Sequence, residues 1–343
     1  MSQSEFAIIE KYFRDSGLCF ESQGIDLAIG DDCALVSLDE NEQLAMSMDL
    51  LQEGVHFPVE AVPELLGQRA LAVNLSDLAA IGAEPMCFTL GLSMPEADET
   101  WLEAFSAGLL KMAERFNCPL IGGDLIRGTL QMAIQVQGRV PRGEALLRSN
   151  ARPGDLVYVT GTLGDAAAAL ALFKRLDIAK EEAESDSTFV KNKLPARHRD
   201  HLINAFYCPE PRVAVGSAIR GLASAAIDIS DGLLSDLGHI VTASGVGAEL
   251  DVAQLPLSET MQECVVEEQR SELALSGGDD YELCFTVPPV HCQAVEEAVA
   301  ALEVPLTRVG EIVTGEGVQC LDNFGEPMIL RRTGYSHFSE DSP

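Results

Sequence analysis

An α+β chain of mixed α/β layers, divided into two domains, is predicted by three features of the sequence. Its 343 residues exceed what one ordinary core accommodates. Short apolar runs of strand length alternate with helical patterns along the chain, as mixed layers require. Between Pro141 and Pro153 that alternation gives way to Pro, Gly and Arg, which places a boundary there and defines domains 1–148 and 149–343.

In chain order, Phe6, Ile9, Tyr12 and Phe13 share one face of a short amphipathic helix. Gly30-Asp31-Asp32-Cys33 leads into a strand over Ala34 to Leu38, so two acids stand at a strand mouth. A second strand, Leu44 to Met48, ends at Asp49; the loop Gly54-Val55-His56 follows, and Pro63 is placed to start a helix. Asn74-Leu-Ser-Asp-Leu-Ala-Ala-Ile-Gly-Ala83 then sets a single carboxylate, Asp77, just after a helix cap at Ser76. Met86 to Leu92 reads as a strand, and Leu102, Phe105, Leu109 and Met112 mark a helix from Asp98 to Phe116. Leu120-Ile121 leads into Gly122-Gly123-Asp124, and Leu130 to Val140 alternates as a long strand.

The second half opens with a strand, Leu156 to Thr160, a turn at Gly161 to Gly164 and an alanine-rich helix from Asp165. A strand, a turn and a helix can cradle a phosphate, but packing alone explains these glycines. Asp177 to His201 is charged and reads as a peripheral helix or a mobile excursion. His198 and His201, flanked by Arg197, Arg199 and Asp200, read as a solvated helix face rather than a metal pair. Ala225 to Ile229 is the next strand, and Ser230-Asp231-Gly-Leu-Leu begins a helix. Two strings recur: Asn74-Leu-Ser-Asp77 matches Asp228-Ile-Ser-Asp231, and Gly122-Gly-Asp124 matches Gly277-Gly-Asp279.

Composition excludes several function classes. Lys and Arg total 23 against 54 Asp and Glu, a net charge of −31, which argues against a nucleic-acid backbone or an anionic membrane as partner. No basic stretch followed by an apolar one opens the chain, and no apolar run approaches the roughly 20 residues of a membrane span, so a soluble cytoplasmic protein is expected. Nine cysteines without a Cys-x-x-Cys pair signal neither a disulfide framework nor a zinc site and read as small core residues.

The chemistry lies in the short carboxylates. Asp31, Asp32, Asp49, Asp77, Asp124, Asp228 and Asp231 fall at the ends of apolar elements, with no Cys or His cluster beside them. A buried ionised carboxylate needs a hydrogen bond, an ion pair or a metal. Hard oxygen donors suit Mg²⁺, which binds through a few carboxylates, waters and substrate phosphates. Neither a Gly-x-x-x-x-Gly-Lys-Ser/Thr loop nor the protein-kinase motif set occurs, so metal ions rather than lysines would offset a nucleotide's charge, with Arg127 and Arg148 as sparse cations. Taken singly, Asp77 reads as a helix cap. Taken together, the acids also fit a non-catalytic, cation-binding scaffold.

Gly30-Asp-Asp-Cys-Ala, Asn74-Leu-Ser-Asp-Leu-Ala-Ala-Ile-Gly-Ala, Leu120-Ile-Gly-Gly-Asp, Ile227-Asp-Ile-Ser-Asp-Gly-Leu and Ser276-Gly-Gly-Asp-Asp-Tyr-Glu-Leu stand in the order found in the thiamine-monophosphate kinase family, and the resemblance runs from about Glu5 to Phe338. It implies the aminoimidazole-ribonucleotide-synthetase-like fold, an N-terminal ATP/Mg-binding and dimerisation domain whose sheet pairs across a homodimer, and a C-terminal α/β domain that completes the active site. It further implies transfer of the γ-phosphoryl of ATP to thiamine monophosphate, with several Mg²⁺ ions and ATP as co-substrate. Carried over by motif, Asp32, Ser47, Met48, Asp49, Asp77, Asp124, Asp228 and Asp231 would hold metal. Gly123, Asp124, Arg148 and Ser230 would contact ATP, and His56, Asp279 and Tyr335 thiamine monophosphate; no residue is assigned as a general acid or base. Met48 stands where the family usually has Thr and would act through its carbonyl, Leu125-Ile126 replace two threonines, and Asp279 replaces Glu. Other ATP-using members of the superfamily, such as selenophosphate synthetase or aminoimidazole ribonucleotide synthetase, remain the alternative. The former would carry a reactive Cys or selenocysteine and a Lys in a Gly-rich loop, a setting that Cys19 lacks.

Overall fold

The computed structural model describes residues 5–178, 194–322 and 324–328. The chain falls into two compact units, Met1–Ala145 and Leu146–Pro343.

In the first unit, α1 (Glu5–Ile8) runs into a π-helical turn, Ile9–Arg14, that buries Tyr12 and Phe13, the face read from their spacing. β1 (Ile25–Leu27) and β2 (Leu35–Val36) pair antiparallel. The strand expected over Ala34 to Leu38 is thus cut to two residues, because Leu35, Val36 and Leu38 are exposed and no burial rewards extending it. β3 (Glu42–Gln52), β4 (Glu84–Met94), β5 (Leu120–Arg127) and β6 (Gln131–Pro141) form a sheet in the order β3-β6-β4-β5, parallel only between β4 and β5. α2 (Pro63–Ala80) packs on β3, β6 and α3 (Glu99–Arg115). Asp98 caps α3, its Oδ1 accepting the Trp101 N–H at 2.8 Å.

Three sequence expectations change here. α2 starts at Pro63 as read, but it does not stop before Ser76. The segment from Asn74 is its last turns, so Ser76 is a buried helix residue and not a cap. β3 continues through Asp49 to Gln52, and β5 carries Gly122, Gly123 and Asp124 inside the strand. Asp49 and Asp124 therefore sit within strands rather than at their ends.

β3 is an edge strand with two unlike faces. Ala45 and Leu51 are buried, whereas Leu44, Met46, Met48 and Leu50 are 44%, 55%, 52% and 47% exposed. Period-two alternation places all four on one face.

In the second unit, β7 (Leu156–Thr160), β8 (Ala225–Asp228), β9 (Gly247–Asp251), β10 (Leu283–Val287), β11 (Leu306–Val313) and β12 (Gly317–Leu321) form a sheet in the order β12-β9-β11-β7-β10-β8. Only β12 and β9 run parallel. Seven helices accompany it among the described residues: α4 (Asp165–Ile178), α5 (Ala196–Tyr207), α6 (Val213–Ala218), α7 (Leu233–Ser244), α8 (Glu259–Cys264), α9 (Glu267–Ser276) and α10 (Cys292–Ala300). Val157, Val159, Ile227, Leu237, Ile240 and Ile312 belong to one continuous core. α7 starts at Leu233, not at Ser230, leaving Ser230–Gly232 as a turn.

The charged segment from Asp177 lies largely outside the described residues, but its histidines are placed. His198 is buried rather than solvated: Nδ1 lies 2.9 Å from Thr260 Oγ1 and Nε2 3.0 Å from Glu263 Oε2, which ties α5 to α8. His201 Nε2 lies 3.3 Å from Asp165 Oδ1, and that carboxylate raises its pKa. Five cysteines are buried as expected, whereas Cys33 is exposed and Cys19, Cys208 and Cys292 are half-buried. No described helix is long and apolar enough to cross a membrane.

Candidate active site

Each unit gathers its own acids. In the first, β3 and the end of α2 bring Ser47, Asp49 and Asp77 together. The Ser47 hydroxyl donates to Asp77 Oδ2 at 2.5 Å, and the Asp49 N–H donates to Asn74 Oδ1 at 3.1 Å. Asn74 is buried and braced in turn by its Nδ2 bond to the Ala70 carbonyl at 2.9 Å. Burial, and then the charge of Asp77, push the Asp49 carboxyl up to about 6. Asp77 also stands in the last turn of α2, where the helix dipole leaves partial negative charge. An acid beside another acid at the negative end of a helix is a place for a cation.

A second grouping lines a cavity of about 640 Å³ in the same unit, walled by the π-helical turn, the loop before β2, β4 and β5. Asp31, Asp32, Gly123 and Asp124 line it together with Phe13 and Arg14. Asp32 and Asp124 are exposed, and the Asp32 N–H donates to Asp31 Oδ1 at 2.8 Å. Gly123 has a packing reason of its own, since a Cβ there would meet the Leu90 carbonyl oxygen at 2.0 Å. Of the two residues that replace threonines, Leu125 is buried and Ile126 is 57% exposed. The Met48 side chain points to the exposed face of β3. His56 is half-buried, and Gln52 N–H donates to its Nδ1 at 3.1 Å, so the neutral ring carries its proton on Nε2.

In the second unit the acids follow β8. Asp228 is buried at its end, and Ser230, Asp231 and Gly232 form the turn into α7. The loop Gly277–Tyr281 packs across this turn: Asp279 N–H donates to the Ser230 carbonyl and Tyr281 N–H to the Ile229 carbonyl, both at 2.8 Å. The approach requires glycine at 278, where φ is 68° and a Cβ would meet Ser230 O at 2.5 Å. Asp279 is itself left-handed, at φ 63°, and its Oδ1 accepts the Tyr281 hydroxyl at 3.3 Å. The structure therefore brings Asp228, Ser230, Asp231 and Asp279 together. Arg148 is exposed, its carbonyl held by the Ser244 hydroxyl at 3.2 Å. Tyr335 lies outside the described residues.

The recurring strings do not recur as structure. Asn74–Asp77 is helical and Asp228–Asp231 is strand and turn; Gly122–Asp124 is strand and Gly277–Asp279 is loop.

Sequence reasoning missed three supporting residues. Asp236 Oδ2 accepts the N–H groups of Ser230, Asp231 and Gly232 at 3.0, 3.1 and 3.1 Å. Burial and the Asp231 charge nevertheless push Asp236 up to about 7. Its position in the first turn of a helix was the available signal. Glu282, buried where the Gly277–Tyr281 loop enters β10, accepts Arg212 Nε at 2.6 Å, Arg212 Nη2 at 2.5 Å and Thr160 Oγ1 at 2.5 Å. Arg212 lies far from the motif in sequence and carried no local signal. In the turn before α4, the Gly164 N–H donates to Asp280 Oδ1 at 2.9 Å.

The donor set fits Mg²⁺, because it is all oxygen and because like charges crowd at Asp49 and Asp77 and at Asp231 and Asp236. Among the described residues no three His, Cys, Asp or Glu side chains close into a cage. Open carboxylate pairs suit a hard ion that keeps waters and takes substrate phosphates.

The rise at Asp49 has a measurable consequence. Its folded pKa of about 6 exceeds the ordinary 3.8, so the fold disfavours the ionised form. The metal-free protein should lose stability as pH rises from about 4 through 6 and keep that loss above it. Asp49→Asn is expected to raise metal-free stability at pH 7.5 by on the order of 2 kcal/mol and to flatten that pH dependence, read by urea denaturation.

Comparisons place the chain in a family. Residues 30–140 match the AIR synthase related protein, N-terminal domain, and residues 152–322 the C-terminal domain of the same proteins. Thiamine-monophosphate kinase of Escherichia coli O157:H7 is 46% identical over 343 residues, covering 99% of both chains. The crystal structure of thiamine-monophosphate kinase from Stenotrophomonas maltophilia K279a is 44% identical, covers 96% of this chain and 99% of that one, and has a TM-score of 0.82. A structure of AaThiL complexed with AMPPCP and TMP is 32% identical, covers 91% and 92%, and has a TM-score of 0.72. With two AIR synthase related domains and near-complete alignment to its relatives, the chain belongs to the thiamine-monophosphate kinase family.

Proposed function

We propose that the chain transfers the γ-phosphoryl group of ATP directly to the phosphate of thiamine monophosphate, giving thiamine diphosphate and ADP. One observation carries this reading: the chain aligns over 99% of its length with a thiamine-monophosphate kinase 46% identical to it. The acceptor is a phosphate monoester with a second pKa near 6, so its oxygen is already largely ionised at neutrality and needs no general base. That oxygen attacks the γ-phosphorus in line as the bond to the β-phosphate oxygen breaks and ADP leaves.

The obstacle is repulsion between two polyanions. Mg²⁺, when bound, neutralises phosphate charge and fixes the geometry of approach. Several Mg²⁺ ions would be held in the N-terminal unit by Asp32, Asp49, Asp77 and Asp124, with Ser47 and the Met48 carbonyl, and in the C-terminal unit by Asp228 and Asp231. Gly123, Asp124, Arg148 and Ser230 contact ATP. His56 offers its Nε2–H to the thiamine phosphate, and Asp279 and Tyr335 meet the cationic ring system. Residues 1–148 carry dimerisation and most of the nucleotide and metal binding, residues 149–343 complete the active site, and the protein works in the cytoplasm.

Purified protein incubated with ATP, Mg²⁺ and thiamine monophosphate should yield ADP and thiamine diphosphate in equal amounts. ADP without thiamine diphosphate would point to another ATP-using member of the superfamily, and metal binding without turnover to a scaffold. A covalent phosphoenzyme on the pathway would exclude direct transfer.

The exposed stripe Leu44, Met46, Met48 and Leu50 on edge strand β3 supports a homodimer joined through the N-terminal sheets. Leu44→Lys with Met46→Lys is expected to turn a dimer into a monomer in sedimentation equilibrium. A monomeric wild type would refute the pairing.

A further inference from the structure

We propose that Asp236 is a positioning residue that sets the Ser230–Gly232 turn for metal and nucleotide, an inference that rests on the reading of Ser230 and Asp231 above. Three consecutive backbone N–H groups converge on one oxygen, Asp236 Oδ2, from 3.0 to 3.1 Å. Asp236 is 2% exposed, so solvent has little access to those bonds.

The geometry constrains more than one residue. In extended chain, successive peptide N–H groups point to alternate sides. A turn that aims three of them at one acceptor has its backbone dihedrals fixed by that acceptor. Gly232 completes the curl with φ 117°, a conformation that a side chain would oppose. The same turn carries Ser230 and Asp231, both half-buried, and the Ser230 carbonyl. That carbonyl accepts Asp279 N–H at 2.8 Å, so the same carboxylate indirectly places the loop bearing Asp279.

This differs from a helix N-terminus that captures an anion from outside. The acceptor belongs to α7 itself, one turn along, and it faces back to the residues before the helix. Groups that orient metal ligands without touching the metal typically change metal affinity 10–100-fold when replaced. Asp236 stands in that relation to Asp231.

The test uses the full chain and Mn²⁺ as probe. Sites lost on Asp231→Asn are first identified by calorimetric Mn²⁺ titration; if that variant binds as much Mn²⁺ as wild type, the premise fails and the inference is overturned. Asp236→Ala is then expected to weaken Mn²⁺ at those sites at least about tenfold and to speed hydrogen exchange at the amides of residues 230–232. Asp236→Asn retains an acceptor oxygen without the charge, and its effects should fall between alanine and wild type. If the alanine variant does not fold, the asparagine variant decides, with a loss of Mn²⁺ affinity of at least about threefold expected. Leu237→Ala, which truncates a core side chain on the same helix, should lower stability without moving Mn²⁺ affinity at these sites.

Unchanged exchange at residues 230–232, or unchanged Mn²⁺ affinity, would overturn the inference, as would an equal loss of affinity in Leu237→Ala. Thiamine diphosphate formation by wild type is measured alongside. Its absence would count against the proposed reaction, whereas the exchange and Mn²⁺ results judge Asp236 separately.

Discussion

Asp77→Asn is expected to lower thiamine diphosphate formation by about 10²–10³-fold while the protein stays folded. The side chain is only half-buried, and Asn keeps an oxygen that can accept the Ser47 hydroxyl now bonded to Asp77 Oδ2. Removing the charge also removes the second cause of the rise at Asp49, whose carboxyl should then titrate closer to the ordinary range. Steady-state turnover at several Mg²⁺ concentrations, with far-UV circular dichroism and a thermal midpoint, reads both effects. A variant that unfolds at 25 °C would assign Asp77 to structure, and one that turns over normally would remove it from the metal set.

Arg212→Met is expected to destabilise the C-terminal unit by about 3–5 kcal/mol, the cost of leaving a buried carboxylate without its cation. Glu282 would keep only Thr160 of the three contacts described for it. Since Thr160 Oγ1 also accepts the Leu283 N–H at 2.9 Å, the loss should spread to the ends of β7 and β10 and loosen the loop carrying Asp279. Urea denaturation measures the change. Arg212→Met combined with Glu282→Leu should recover a good part of the stability but not the activity, because an apolar pair avoids the buried charge without restoring the loop. A single variant as stable as wild type would show that the pair is not what anchors the loop.

The layers and the two units were legible in the sequence because strand and helix periods are local properties. β7 was read to the residue, and α3 to within one residue at each end. α2 was misjudged for a physical reason: it is buried around most of its circumference, from Leu66 to Ala79, so it shows no polar face by which its continuation could be traced. Gly122-Gly123 reads as a turn by propensity, yet pairing with β4 holds it in a strand. Sequence motifs singled out the acids as candidates, whereas the residues that brace them carried no such signal. Asn74 and Asp236 act through backbone N–H groups that any residue supplies, and Arg212 reaches Glu282 across 70 positions of sequence. Such supports become visible only when the chain is folded.

The edge strand β3 has a consequence for the life of the chain before it finds a partner. Along eleven residues it offers outward-facing backbone groups and an apolar stripe, with no Lys or Pro to discourage a stray strand from adding to it. Natural sheets usually blunt such an edge. In the homodimer proposed above, assembly would cover this edge and protect it from aggregation, and a solitary subunit would be the more vulnerable form.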